Sequence, residues 1–91
     1  MTDFEFPADL LDLQRAWYAA DARCVEIAAS HPPAVDVVAG TARVTDEQHA
    51  ELKAARAARW ALTMDLQDHD WWGMVEDRLA AKAALRKAAQ Q

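Results

Sequence analysis

Cysteine is nearly missing from this chain: Cys24 is the only one in 91 residues. No internal disulfide can form, which points to a reducing compartment and a fold held by packing alone. Glycine occurs twice and proline three times, so few positions force a helix to stop. No stretch approaches the roughly 18 consecutive apolar residues of a membrane span. The start, Met1-Thr2-Asp3-Phe4-Glu5-Phe6, is acidic and lacks the basic flank and apolar run of a secretory leader. A soluble, cytoplasmic protein is expected. Functional motifs are missing as well. There is no His-Glu-x-x-His, no phosphate-cradling glycine loop and no recognisable nucleophile–base pair. No catalytic residue, cofactor or metal is expected, and the chain reads as a non-enzyme.

Positive charge is also scarce. Ten Lys and Arg stand against fifteen Asp and Glu, for a net charge of -5. Phosphate neutralisation needs clustered bases, so nucleic acid is an unlikely main partner. The distribution is uneven, because residues 71–91 carry four bases and two acids. That basic end, Arg78, Lys82, Arg86 and Lys87, reads as a solvated face answering the acidic body.

What the chain has in quantity is alanine, the best helix former. It comes in runs such as Ala54-Ala55, Ala57-Ala58, Ala80-Ala81 and Ala83-Ala84. With no asparagine, one isoleucine and more arginine than lysine, the composition resembles that of short helical proteins from high-GC bacteria, a likeness that carries no function. The length fits one domain.

The apolar periodicity predicts an all-α fold. A first helix spans 7–30, with Pro7 suited to its first turn. Leu10, Leu13, Trp17, Ala20, Cys24 and Ile27 recur at alternating spacings of three and four, a seam for another helix. Leu11, Tyr18, Val25 and Ala29 form a second stripe, with Gln14 and Asp21 between the two. His31-Pro32-Pro33 ends the helix. Ala34 to Ala42 reads either as a short helical turn stopped by Gly40 or as an extended strip across the bundle; the turn is preferred. Thr45-Asp46-Glu47-Gln48 is a capping-box signature for a second helix over 46–69. Its apolar arc is broad, with Trp60, Met64 and Ala57 on one flank and Leu62, Leu66 and Ala55 on the other. It reads as a central helix covered on two sides. After a corner at Asp68-His69-Asp70, a third helix is expected over 71–85. Asp70 would cap it, and Trp72, Val75, Leu79 and Ala83 would line one face. Helices two and three could also be one helix bent near Gly73. Residues 1–6 read as an arm and 86–91 as a mobile tail.

Several clusters deserve a chemical reading beside a structural one. Asp65 and His69 would share a face of a continuous helix, but without a second histidine a cap is the simpler account. Asp21 could be a perturbed carboxylate; an ion pair with Arg56 or Arg59 explains it as well. Cys24 lies on the core seam and reads as a small buried filler. Four tryptophans suit either core and interface anchoring or the walls of a ligand site. Trp71 and Trp72 cannot both face one core on an ideal helix, so one of them should lie at a surface, an interface or a hinge.

Counting faces favours self-association. Two stripes on the first helix and a wide arc on the second exceed what one short third helix can cover, so two hairpins are expected to pair into a helical bundle. A compact three-helix monomer is the competitor. The functional expectation is a self-associating, homodimeric interaction module that regulates or scaffolds a protein partner, with Leu11, Tyr18, Val25, Trp60, Met64, Trp71 and Trp72 as interface or partner-binding residues. A small-ligand-binding domain with a tryptophan-lined pocket is the alternative.

Overall fold

The computed structural model describes residues 4–91, so the first three residues of the expected arm lie outside it. The described residues form four α-helices and a 3-10 turn, with no strand among them. The fold is all-α, as the periodicity predicts. Helix α1 spans Ala8–Ala29, α2 spans Ala34–Val38, α3 spans Asp46–Gln67 and α4 spans Arg78–Ala89.

The helix ends follow local chemistry. The carbonyl of Pro7 accepts from the amides of Leu10 and Leu11 to open α1, and Ser30 closes it by donating its hydroxyl to the Ile27 carbonyl at 2.6 Å. The preferred reading of 34–42 holds: α2 is a single short turn, and Gly40 follows it at φ +78°, a conformation open to glycine. The capping box of α3 is complete, with the Gln48 amide donating to Thr45 Oγ1 at 3.1 Å and the Thr45 amide to Gln48 Oε1 at 2.9 Å.

Helices α1 and α3 form an antiparallel hairpin, and its rungs show the register. Trp17 meets Thr63, Asp21 meets Arg59 and Arg23 meets Glu51, so numbers rise on one helix as they fall on the other. Of the two bases suggested for Asp21, it is Arg59 that pairs with it, at 2.7 Å. Cys24 and Ile27 are buried along the same face of α1.

The main core sits at the other end of the hairpin. Leu10, Trp72, Ala81 and Leu85 are buried together, with Phe4, Phe6, Leu11, Leu66, Trp71 and Val75 packed around them. The chain is drawn out along the hairpin, with extents of 54 × 22 × 19 Å and a radius of gyration of 17.5 Å. A compact chain of this length would measure about 12 Å.

Three expectations are corrected. First, the helix with two partners is α1, which packs against both α3 and α4. No residue of α3 is buried, because α4 docks on α1 and leaves the outer side of α3 uncovered. Second, the helix expected over 71–85 is two elements. The 3-10 turn spans Asp70–Met74, and α4 starts only at Arg78, with Asp77 as its cap accepting from the Ala80 amide at 3.0 Å. The cap of the 3-10 turn is His69 rather than Asp70. This interruption resets the helical phase. Ala81, Leu85 and Ala89 face inward, while Leu79, expected on the core face, is 82% exposed. Third, residues 86–91 are not a separate tail. Helix α4 runs through Ala89, which is buried.

Candidate functional site

A cleft of about 370 Å³ opens where α1, α3 and α4 meet. From α1 it takes Gln14, Trp17 and Tyr18; from α3, Thr63, Leu66 and Gln67. The 3-10 turn adds Trp72, and α4 adds Lys82, Leu85 and Arg86. Positions 14, 17 and 18 share a face of α1, and 63, 66 and 67 share a face of α3, by helical periodicity. The hairpin register brings the two sets together.

Hydrogen bonds hold the aromatic walls. The Trp17 indole N–H donates to Thr63 Oγ1 at 2.8 Å, and the Thr63 hydroxyl donates on to the Arg59 carbonyl at 3.1 Å. The Trp72 indole N–H donates to the Leu66 carbonyl at 2.6 Å, near the open end of α3 where such carbonyls lack helical partners. Tyr18 sits edge-on to Trp17, with ring centroids 5.7 Å apart. Lys82 Nζ stands 5.9 Å from the centre of the Trp72 ring, within cation–π range. Gln14 is only 8% exposed.

The seven expected interface residues separate into three groups. Tyr18 and Trp72 line the cleft, and Trp72 is otherwise buried within the chain. Leu11 and Trp71 are half-buried against the core. Trp71 meets Phe6 at 5.2 Å and Phe4 at 6.3 Å between centroids. The two adjacent tryptophans are placed differently, with Trp72 buried and Trp71 only half-buried, both in the turn between α3 and α4. The 3-10 turn directs Trp72 inward, and the arm folds back over Trp71. The alternation Phe4-Glu5-Phe6 was the available signal for that return. Val25, Trp60 and Met64 are exposed.

Trp60, 63% exposed, lies beside an uncovered seam of α3. Ala50, Ala54, Ala57, Ala61 and Met64 recur at spacings of four, three, four and three on the side away from α1, and all five are exposed.

The Asp65–His69 cluster comes apart. Helix α3 ends at Gln67, so the two residues do not share a continuous helical face, and no group of three metal-ligating side chains occurs among the described residues. His69 instead ties the corner to the start of α1. Its Nδ1 accepts from the Trp71 amide at 3.1 Å, which places the ring proton on Nε2, and Nε2 donates to Asp9 Oδ2 at 2.9 Å. The His69 bond is the main reason the Asp9 carboxyl is held below its ordinary value of 3.8. This is a structural clasp linking the 3-10 turn to α1.

The comparison with protein families places residues 9–88 in a domain of unknown function, DUF8825, and the chain belongs to that family. No curated protein and no solved structure gives a match. No helix among the described residues is long and apolar enough to cross a membrane.

Proposed function

We propose that this member of the DUF8825 family is a non-enzymatic interaction module of the cytoplasm, which pairs with a second copy of itself and in that form scaffolds or regulates a protein partner. The observation that carries the reading is the uncovered seam of α3. A 22-residue helix with no buried residue has an alanine seam on its outer side, flanked by Trp60. Such a seam, about 21 Å long from Ala50 to Met64 at 1.5 Å per residue, suits close approach of another helix. Small side chains let backbones come near, and a large ring beside them supplies apolar area. Pairing two hairpins through α3 converts an elongated molecule into a four-helix bundle and gives α3 the second neighbour it lacks. A two-fold arrangement satisfies both copies with one surface.

Light scattering coupled to size exclusion tests this. At micromolar concentration the expected mass is twice the 10.1 kDa of the chain. Trp60→Glu and Ala57→Glu are expected to return it to one chain while keeping the helical circular dichroism signal, since both side chains are exposed in the single chain. A mass of one chain that does not change on concentrating the sample removes self-association from the reading.

A further inference from the structure

The cleft has a charge pattern opposite to that of the protein around it. The chain carries fifteen acids against ten bases, yet the cleft is lined by Lys82 and Arg86 and by no carboxylate. The two bases are four residues apart on α4, which places them about one turn apart on one side. Neither makes an ion pair with a described residue; the ion pairs found involve Arg15, Arg23, Arg59 and His69. Arg86 also complements the carbonyl end of α4 from its last turn. Lys82 has no such role; among the described residues it stands over the face of Trp72.

The other walls are flat and apolar. Trp17, Tyr18 and Trp72 supply rings, and Leu66 and Leu85 fill between them. Both indole N–H groups are already bonded within the chain, so the rings are fixed in orientation before anything enters. Gln14 adds a polar group at the inner wall. It is more than nine-tenths buried, and no side-chain hydrogen bond among the described residues engages its amide. Its amide is not among the fully enclosed unpartnered atoms, of which His31 Nε2 is the one found among the described residues, so it stays open to the cleft, where a ligand or water can bond it. The volume falls within the range of roughly 300–1,000 Å³ found for small-molecule sites, which combine mostly apolar walls with a few placed polar groups.

From this combination we infer that the cleft between α1, α3 and α4 is a binding site for a small aromatic carboxylate. Its ring lies against Trp17, Tyr18 and Trp72, its charge faces Lys82 and Arg86, and Gln14 supplies a hydrogen bond. The inference does not depend on self-association, since every residue it uses belongs to one chain.

The test uses the full chain with two probes of the same shape and different charge, 2-naphthoate and its neutral amide, 2-naphthamide. Proton–nitrogen correlation spectra report the indole N–H of each tryptophan and the Gln14 side-chain amide separately. Titration with 2-naphthoate is expected to move the Trp17, Trp72 and Gln14 signals saturably, leaving Trp60 in place. The amide is expected to bind about tenfold more weakly. Lys82→Gln combined with Arg86→Gln, both exposed positions, is expected to weaken naphthoate about tenfold and to leave the amide unchanged. Equal binding of acid and amide overturns the assignment of an anion. An absence of saturable shifts at millimolar probe, or shifts confined to Trp60 or Trp71, overturns the site itself.

Discussion

Leu85→Ala is the most direct test of how α4 is seated. Leu85 is 1% exposed and packs with Leu10, Trp72 and Ala81. Truncation to alanine removes buried apolar area and leaves a cavity, and such changes cost about 2–5 kcal/mol. Three of the neighbours are held by other constraints. Trp72 is tied to the Leu66 carbonyl, Leu10 is fixed on α1 and Ala81 sits one turn before Leu85 on α4 itself, so collapse into the space is limited and a cost of about 3 kcal/mol is expected. For a domain of this size that corresponds to a fall in melting temperature of more than 10 °C, at about 4–8 °C per kcal/mol. The control is Leu79→Ala on the same helix. Leu79 is 82% exposed, and its loss should stay within about 0.5 kcal/mol. Urea unfolding followed by far-UV circular dichroism, at one protein concentration to hold any mass-action contribution fixed, measures both. A continuous helix from Trp71 would place Leu79 inward and reverse the order. If Leu79→Ala costs more than Leu85→Ala, or if Leu85→Ala costs under about 0.5 kcal/mol, the phase reset at Asp77 is wrong.

Deleting residues 86–91 removes the last turn of α4 and the buried Ala89, so a loss of about 1 kcal/mol is expected, read as a drop of several degrees in melting temperature; an unchanged midpoint would mean that this turn contributes nothing. The Asp21–Arg59 pair is only partly buried, and a double-mutant cycle with Asp21→Asn and Arg59→Gln should give a coupling of about 1 kcal/mol or less that shrinks in high salt. Because the Asp9 carboxyl is held low by His69, its contribution is present above the unfolded value of 3.8 and is lost as pH falls through the depressed folded value. Asp9→Asn should therefore flatten the acid limb of the stability curve in that window and leave the region near neutral pH with less stability than the parent; an acid limb identical to the parent's would show that the clasp does not form. Trp17→Phe removes the donor to Thr63, whose hydroxyl keeps its bond to the Arg59 carbonyl, so a cost of about 1 kcal/mol is expected in urea unfolding.

What the amino-acid sequence determined by itself is local. Alanine content and the three-and-four spacing of apolar residues specify two long helices, because helix propensity and amphipathic period are properties of a short window. The Thr45–Gln48 capping box is equally self-contained, since both of its hydrogen bonds lie within four residues. The ion pair of Asp21 with Arg59 was within reach, because two helices of matched length leave only one or two registers to consider. The phase of the last helix was not legible in the same way. Residues 71–85 have a plausible apolar face as one helix, and only the seating of Trp72 against Leu10 and Leu66 makes the short 3-10 turn and a fresh start at Asp77 the better solution. The cleft belongs to the same class. Gln14, Lys82 and Arg86 were each visible as polar residues on helical faces, but their convergence with Trp17 and Trp72 depends on where α4 lands along α1, which is set by the shape of the packed core. Long-range contacts decide such placements because burial rewards the whole arrangement, and no window of neighbouring residues contains both halves of it.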